Sequence, residues 1–301
     1  MATTIRIGYV LEHFSTPLYI ARDNGLFKET NVNVELVLCP GGTGEMTSKL
    51  QEGSLDLAIA LTEGLVAGIS KGQDWYKIVG TYVDKPLCWA LSAGKDSKHN
   101  SVDTLKKTNV AISRFGSGSH IMAFVLADKR GWLEDGEPPF DFTVLHNFKA
   151  MRDAVNDGSC DYFMWETFTT KPFHDSGEVK RIGDITPPWP AFMFAAHTHL
   201  LSDETKKKGL KDVLAAIQKA THLFLKQKED ESVKLVMETF NYPKEEDVHS
   251  WFKTVSYPDN NHQVSRDALD VTLKTLLKAK VIDGPAKKAE DLVDNSVAEL
   301  A

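Results

Sequence analysis

The sequence contains little of what marks disulfide-stabilised, membrane-spanning or nucleic-acid-binding proteins. Its 301 residues include three cysteines, and their odd number and wide spacing favour neither a disulfide framework nor a metal knuckle. No apolar run approaches the roughly 20 residues that a membrane-spanning helix requires. The net charge is −7, whereas nucleic acids and anionic membranes are bound by basic surfaces. We therefore expect a globular protein with free thiols that neither binds nucleic acid nor inserts into a membrane.

Targeting and metal- or nucleotide-binding motifs are missing as well. The stretch MATTIRIGYVLEHF has no basic segment followed by an apolar segment and a cleavage site, so a cytoplasmic protein is the first expectation. A periplasmic protein whose leader had been removed would show the same features. The chain has no HExxH, Walker or dinucleotide-binding motif. We accordingly predict no metal and no cofactor, assign no catalytic residue, and favour a non-enzymatic function.

What the sequence does contain is an internal repeat. The stretches GSLDLAIALTE at 53–63 and GSCDYFMWETF at 158–168 share Gly, Ser, Asp and Thr at the same places. In the region around each stretch, hydrophobic patterning indicates strand, helix, strand, helix and strand in the same order. The sequence therefore predicts two β-α-β-α-β units.

Two further strand-like segments, 87–92 and 191–197, lie where the chain would pass into the second unit and return. This predicts an α/β protein of two lobes, in which 1–85 and 198–301 form the first lobe and 86–197 forms the second. Open α/β sheets bind ligands beyond the carboxyl ends of their strands. We therefore expect a cleft between the lobes, bordered by the carboxyl ends of both sheets.

This organisation resembles the type II periplasmic-binding-protein superfamily. The resemblance rests on the double crossing and on the stretch PLYIARDNGLFKETNVNVEL at 17–36, and it extends over essentially the whole chain. The most similar branch contains the sulfonate- and taurine-binding proteins and the fungal thiamine-pyrimidine-precursor proteins. The resemblance implies two crossover strands and a ligand clamped between the lobes by hinge closure, without identifying the ligand.

The chain departs from the fungal precursor synthases at the positions that carry their chemistry. Those proteins use a lysine and a histidine shortly after the aspartate of the first repeat, and they carry a cysteine-rich run near the second crossing. Aligned on Asp56, the lysine position is Ala60 and the histidine position is Gly64, and 192–196 contains no cysteine. The synthase reaction, in which bound pyridoxal phosphate supplies the substrate, is therefore not expected here.

The candidate ligand-binding residues are those at the carboxyl ends of the predicted strands. From the first lobe they are Glu12, His13, Phe14, Gly41, Gly42, Thr43, Thr62 and Glu63. From the second lobe they are Arg114, Phe115, Gly116, Ser117, Gly118, Ser119, His146, Trp165 and Glu166, with Trp89 on the first crossing strand.

The turn 116–119 is the predicted anion site. Backbone N–H groups at a helix start, with the cation of Arg114 beside them, attract sulfonate, phosphate or carboxylate. The alternative is an ordinary helix cap with serine at the N-cap position. The turn 41–44 is interpreted in the same way, although no cation adjoins it.

Carboxylates and aromatic rings are expected to supply the other contacts. The three glutamates of the candidate set would accept hydrogen bonds from an amine or an aminopyrimidine, and the tryptophans and phenylalanines would provide flat walls for a ring. Solvent-exposed glutamates and core-packed rings are the corresponding alternatives.

The function that we predict is noncatalytic binding of a small solute. The ligand would be compact and polar, either anionic or heteroaromatic, and the protein would sense, store or buffer it. The alternative is an enzyme of thiamine-pyrimidine or related cofactor metabolism in which Glu166 or His13 acts as acid or base. An interaction module with a vestigial cleft is a third option.

Overall fold

The computed structural model describes residues 3–134, 137–227, 231–284 and 287–301. The strands, in chain order, are β1 (Thr3–Tyr9), β2 (Val32–Leu38), β3 (Leu57–Leu61), β4 (Tyr76–Val83), β5 (Trp89–Gly94), β6 (Thr108–Ile112), β7 (Phe140–Val144), β8 (Tyr162–Glu166), β9 (Val179–Ile185), β10 (Phe192–His197), β11 (Gln263–Val264) and β12 (Glu299–Leu300).

Helices connect most of these strands. The α-helices are α1 (Thr16–Asp23), α2 (Gly42–Gln51), α3 (Thr62–Ser70), α4 (Gly118–Lys129), α5 (Phe148–Asp157), α6 (Thr167–Asp175), α7 (Thr198–Leu201), α8 (Glu204–Lys226), α9 (Glu231–Phe240), α10 (Glu245–Phe252), α11 (Arg266–Lys278) and α12 (Ala289–Leu292). The 3₁₀ helices are His13–Ser15, Leu26–Glu29 and Val102–Thr104.

The chain divides into two compact units. The first contains Met1–Lys85, Trp189–Asp270 and Lys287–Ala301, and the second contains Pro86–Pro188 and Val271–Ala286. This division assigns 189–197 to the first unit and 271–286 to the second, whereas the sequence analysis assigned each to the other lobe. Residues 192–197 belong to the first unit because β10 pairs with β3 and β4 there.

The first unit is built on a five-stranded sheet of order β2-β1-β3-β10-β4. β1 pairs in parallel with β2 and β3, and β10 is antiparallel to both of its neighbours. The apolar sequence of β3 is buried because parallel sheets of this kind have both faces covered, and α2 and α3 pack against it. The carboxyl ends of β1, β2 and β3 consequently lie at one edge of this sheet.

The second unit repeats this arrangement with the sheet order β7-β6-β8-β5-β9. Here β5 is the antiparallel strand that corresponds to β10. The registers also agree, since Ile7 pairs with Leu57 in the first sheet and Val110 pairs with Tyr162 in the second. The repeat in the sequence is therefore a repeat of topology and register.

The shared aspartate of the two stretches fastens the first strand of each unit. Asp56 accepts a hydrogen bond from the backbone N–H of Arg6 at 2.8 Å, and Asp161 accepts one from the backbone N–H of Asn109 at the same distance. Each carboxylate also meets a histidine Nε2, that of His199 at 3.0 Å from Asp56 and that of His99 at 3.2 Å from Asp161. The aspartate is thus a structural element of the repeat.

The C-terminal helices α8, α9, α10 and α12 lie in the first unit, whereas most of α11 lies in the second. Helix α8 begins where the Asp203 carboxylate caps the backbone N–H of Lys206 at 2.9 Å, and its apolar residues lie on the buried face that packs against α1. Among the described residues, no helix is both long and apolar enough to cross a bilayer.

Candidate ligand-binding site

The segment after β1 contains the exposed Leu11 and then enters a buried cluster of aromatic side chains. Glu12 is half-buried, whereas His13 and Phe14 are buried. The phenolic oxygen of Tyr242 lies 2.7 Å from His13 Nδ1, and the Trp251 ring centroid lies 4.5 Å from that of His13. Burial lowers the pKa of His13 to about 3. A neutral His13 therefore packs in the core of the first unit.

In the turn after β2, one backbone N–H group is bonded to a side chain in the first turn of α2. Gly41 donates its N–H to Glu45 Oε2 at 2.6 Å, and Gly42 opens α2 with a positive φ of 66°. The buried Thr43 accepts the N–H of Leu61 through Oγ1 at 3.0 Å. A Cβ on Gly64 would lie 2.7 Å from Thr43 Cγ2, so the starts of α2 and α3 are in close contact.

The start of α3 carries a buried carboxyl group. Thr62 donates through Oγ1 to the carbonyl of Pro190 at 2.5 Å, and Trp189 Nε1 donates to Glu63 Oε2 at 2.9 Å. Glu63 is 1% exposed, and its Oε1 has no hydrogen-bond partner among the described residues. Burial raises the pKa of Glu63 to about 7, against hydrogen bonds from its own backbone and from Trp189 that lower it.

The glycine- and serine-rich turn after β6 forms the start of α4. Ser117 caps the helix by accepting the N–H of His120, and Gly116 donates its N–H to His120 Nδ1 at 3.1 Å. Ser119 Oγ accepts the N–H of Ser113 at 3.3 Å. Gly118 is buried. The expected cap geometry is present, and much of its hydrogen-bonding capacity is used within the turn.

Two neighbours of this turn are more open. Phe115 is 65% exposed, which is unusual for a ring of its size, and Arg114 is half-buried. His146, after β7, is exposed and has a positive φ of 65°. Its N–H donates to the carbonyl of Ser113 at 3.1 Å, which joins the loops after β6 and β7.

The end of β8 brings the second buried carboxyl group. Glu166 is 4% exposed and caps α6, since its Oε2 accepts the N–H of Thr169 at 2.6 Å and the hydroxyl of Thr169 at 2.9 Å. Burial raises the pKa of Glu166 to about 7, although those hydrogen bonds oppose the shift. The half-buried Trp165 stacks on Phe148 with ring centroids 5.2 Å apart.

Trp89 is buried on β5 and pairs across the strands with Glu166. Its indole Nε1 has no hydrogen-bond partner among the described residues. A tryptophan and a glutamate therefore meet at the start of the third helix in both units, but the hydrogen bond between them is found only for Trp189 and Glu63.

Two exposed leucines at the same edge of the first sheet were not predicted from the sequence. Leu11 follows β1 and is 52% exposed, and Leu38 ends β2 and is 42% exposed. A leucine near the end of a strand is common, so the residue type gave no reason to select these two. Their position at the carboxyl ends of β1 and β2 was the signal that could have identified them.

One stretch of helix α3 and the turn after it matches a nucleophile motif by its letters. Residues 68–72 read GISKG, which fits the letters of the nucleophile motif GxSxG. In hydrolases that serine lies on a sharp turn from a strand into a helix. Ser70 instead ends α3, so the context of such a nucleophile is absent here. The described residues also contain no group of three or more His, Cys, Asp or Glu side chains arranged to hold a metal ion.

Comparisons with known proteins agree with this architecture. Residues 89–185 match the family profile described as "Ca3427-like PBP". The structure of the Candida albicans CA3427 gene product, described as defining a new family with the generic periplasmic binding protein fold, is 32% identical; the match covers 99% of this chain and 98% of that chain, with a TM-score of 0.89. No match was found among curated proteins.

More distant structures share the fold. The alkanesulfonate-binding protein SsuA from Xanthomonas axonopodis pv. citri is 17% identical with a TM-score of 0.75, over 99% of both chains. The aliphatic sulphonate binding protein SsuA from Escherichia coli is 18% identical with a TM-score of 0.72, over 97% of this chain and 98% of that chain. The predicted α/β fold and the resemblance to the type II periplasmic-binding-protein superfamily are confirmed, and this chain belongs to the CA3427 family of that fold.

Proposed function

We propose that this protein is a solute-binding protein that closes around a compact polar or heteroaromatic ligand held between its two units. The periplasmic-binding-protein fold itself is typical of solute binding. The ligand contacts would come from the carboxyl strand ends of both units, and hinge closure would bury the ligand.

One observation carries this proposal. In each unit, side chains that are unusual for their position gather at the carboxyl edge of the sheet: buried carboxyl groups at Glu63 and Glu166, and exposed apolar side chains at Leu11, Leu38 and Phe115. Exposed apolar surface beside a few placed polar groups is characteristic of small-molecule sites. Two units with the same edge composition support one ligand contacted from both.

The proposed ligand contacts differ in role. The glutamates would accept hydrogen bonds, Arg114 and the turn 116–119 would set the charge at the second unit, and Phe115 with Trp165 would contact a ring. His13 and Phe14 would support the first unit's edge from the core, since both are packed among aromatic side chains.

A ligand screen tests the function. Full-length protein is purified natively, analysed by native mass spectrometry for a retained small molecule, and screened by thermal shift against sulfonates, pyrimidines, amino acids and phosphates. We expect a retained or added compound that raises the melting temperature, together with a smaller radius of gyration in solution scattering. Absence of any bound compound and of any shift across all four classes would contradict the proposal.

An enzyme of cofactor metabolism is the second candidate, and one observation favours it. The pKa values of Glu63 and Glu166, each raised to about 7, suit general acid–base catalysis near neutral pH. Substitution Glu166→Gln separates the two functions: a binding protein loses affinity, whereas an enzyme retains binding and loses turnover of the bound compound.

The synthase reaction of the fungal relatives is not supported by the first unit. Ala60, at the lysine position, is fully buried and pairs with Met193 inside the sheet. A side chain on Gly64, at the histidine position, would collide with Thr43. A histidine at position 64 would therefore require the starts of α2 and α3 to move apart.

We further propose that the protein works in a reducing compartment, with the cytoplasm as the first choice. Cys39, Cys88 and Cys160 are all free thiols in the structure, as is usual for cytoplasmic proteins. Fractionation of cells expressing the native gene, with detection of this protein, tests the assignment.

A further inference from the structure

Two histidines and an aspartate converge at the edge of the first sheet that lies away from the candidate ligand-binding residues. His197 ends β10 and His199 lies in α7, whereas Asp56 directly precedes β3. Because β10 is antiparallel to β3 and Ala196 pairs with Leu57, the end of β10 lies beside the start of β3. The cluster therefore belongs entirely to the first unit, at the edge opposite the carboxyl ends of β1, β2 and β3.

The two histidine rings face each other through nitrogen atoms. His199 Nδ1 lies 2.7 Å from His197 Nδ1, which also accepts the backbone N–H of His199 at 2.9 Å. On the other side of the ring, His199 Nε2 lies 3.0 Å from Oδ1 of the Asp56 carboxylate, which also binds the Arg6 guanidinium. Both ring nitrogens of His199 therefore face acceptor atoms.

A single proton on the His199 ring cannot satisfy both contacts. A neutral imidazole carries one N–H group and one lone pair in the plane of the ring. If the N–H donates to Asp56, the Nδ1 lone pairs of His199 and His197 face each other at 2.7 Å, which is unfavourable unless a cation lies between them. Burial lowers the pKa of both rings below the ordinary 6.5, against the raising effect of Asp56. Both lone pairs are therefore available to a metal ion.

The contact with Asp56 is the one that supports histidines in metal sites. A metal-binding histidine commonly donates its other ring N–H to a carboxylate, which fixes the tautomer and the orientation of the ring. Bonds of about 2.0–2.1 Å place two nitrogens of one ion about 3 Å apart. The two rings would need to separate only slightly from 2.7 Å, and the ion would replace the bond between His197 Nδ1 and the His199 N–H.

We propose that His197 and His199 bind a divalent transition-metal ion such as Zn²⁺ or Cu²⁺ through their Nδ1 atoms, and that Asp56 orients His199. Imidazole ligands suit these ions. The side chain of His199 is 34% exposed and His197 is half-buried, so water can reach the ion and complete its coordination. The described residues provide no group of three such ligands, and the site is therefore a two-histidine site.

This site does not depend on the proposed function. It also departs from the expectation of no metal, which came from the absence of the longer metal-binding motifs. The stretch HTH at 197–199 is too short to be distinctive, and Asp56 is far from it in the sequence.

Calorimetric titration of the untagged full chain with Zn²⁺ tests the inference. Every protein carries Cys88→Ser, because Cys88 is a half-buried thiol that could bind the ion itself, whereas Cys39 and Cys160 are buried. We expect a single Zn²⁺ to bind each chain, and Mg²⁺ not to bind, since it prefers oxygen ligands. Absence of Zn²⁺ binding would overturn the inference, indicate that a shared proton joins the rings, and leave the solute-binding function untouched.

Variants identify the ligands. His197→Gln and His199→Gln should each weaken Zn²⁺ binding about tenfold or more, because a direct ligand is lost. Both side chains are partly exposed, so both variants should fold. Asp56→Asn should weaken binding about tenfold to a hundredfold, the range for loss of a carboxylate behind a metal-binding histidine. If Asp56→Asn does not fold, the two histidine variants decide, and unchanged affinity in both would overturn the inference.

His249 provides a matched control. Its side chain is 34% exposed, as that of His199 is, and its Nε2 lies 3.4 Å from Oε1 of Glu245. The ring contact between two histidines, however, joins His197 and His199. His249→Gln should therefore leave the Zn²⁺ affinity unchanged, and a loss equal to that of the two histidine variants would place the ion elsewhere and overturn the inference.

Electron paramagnetic resonance of the Cu²⁺-loaded protein gives an independent readout. We expect hyperfine coupling from two imidazole nitrogens in the parent protein and from one in His197→Gln and in His199→Gln. A spectrum that neither variant changes would show that the ion is not bound between these rings.

Discussion

The two units have one topology, but they carry their buried glutamate at different places. In the first unit, β3 ends in Leu61 and the carboxyl group follows at Glu63, inside α3. In the second unit, the carboxyl group belongs to Glu166, the last residue of β8 and the cap of α6. The two units therefore share their strand order and register, whereas the buried glutamate at the carboxyl edge occupies a different position in each unit.

The aspartate that binds the first strand should stabilise the first unit more than the second, because it is buried more deeply in the first unit. The side chain of Asp56 is 3% exposed and also pairs with the Arg6 guanidinium at 2.7 Å, whereas that of Asp161 is 33% exposed. We expect Asp56→Ala to lower the free energy of unfolding by about 3–5 kcal/mol, because breaking a buried ion pair leaves Arg6 and a backbone N–H without their acceptor.

Asp161→Ala serves as the comparison and should cost about 1–3 kcal/mol, because partly buried donors on Asn109 and His99 lose their acceptor. Urea denaturation followed by circular dichroism measures both. Equal losses would show that the two aspartates fasten their strands equally well despite the difference in burial.

The two buried glutamates should make the free energy of unfolding depend on pH. Their pKa values are raised to about 7 in the folded state from an ordinary 4.5, so each carboxyl group binds its proton more tightly when folded. The stabilisation is fully present below pH 4.5 and is lost as the pH rises through 7. We expect unfolding free energy to fall by a few kcal/mol over this interval through these groups.

His13 acts in the opposite direction. Its pKa is lowered to about 3 from 6.5, so its contribution is present above pH 6.5 and is lost as the pH falls toward 3. Unfolding free energies, measured by denaturation at several pH values, should depend less steeply on pH above 4.5 in Glu63→Gln and in Glu166→Gln than in the wild type. A wild-type slope that both variants retain would show that neither carboxyl group titrates abnormally.

Much of the strand order was predictable from the sequence, whereas the surroundings of the candidate residues at the carboxyl strand ends were predictable only in part. The apolar run 57–61 and its counterpart 162–166 gave the third strands, because continuous apolar stretches suit covered parallel sheets. The burial of His13 was not predictable, since Tyr242 and Trp251 that surround it come from the distant C-terminal part of the chain.

The roles of the two aspartates were missed for a related reason, and the role of Glu166 as a helix cap was missed as well. The sequence showed that Asp56 and Asp161 correspond, but not that they fasten β1 and β6, because their partners lie in other elements. Glu166 was predicted from its place at a strand end, yet its cap on Thr169 depends on the helix that follows. Long-range contacts decided the roles of the two aspartates, whereas the Glu166 cap is a local contact between residues three apart.

The two glutamates also differ in their contacts with tryptophan, since only Glu63 accepts a hydrogen bond from one among the described residues. Trp189→Phe removes the hydrogen bond to Glu63 and leaves a buried carboxyl group without that donor, so we expect a loss of about 1–3 kcal/mol. Trp89→Phe removes no hydrogen bond among the described residues, and we expect a loss below about 1 kcal/mol from packing alone. Thermal denaturation at neutral pH measures both, and a larger loss in Trp89→Phe would reverse this assignment.

The smallest effect on stability is expected from the exposed apolar side chains at the two edges. Phe115 is 65% exposed and Leu11 is 52% exposed, so Phe115→Ser and Leu11→Ser should change the unfolding free energy by no more than about 0.5 kcal/mol. If the edges hold a ligand, the same changes should weaken binding about tenfold, because apolar contact is lost. Val271, 38% exposed on α11, provides the control, and Val271→Ser should alter neither property. Retained affinity in both edge variants would separate these side chains from ligand binding and leave the buried carboxyl groups as the remaining common feature of the two units.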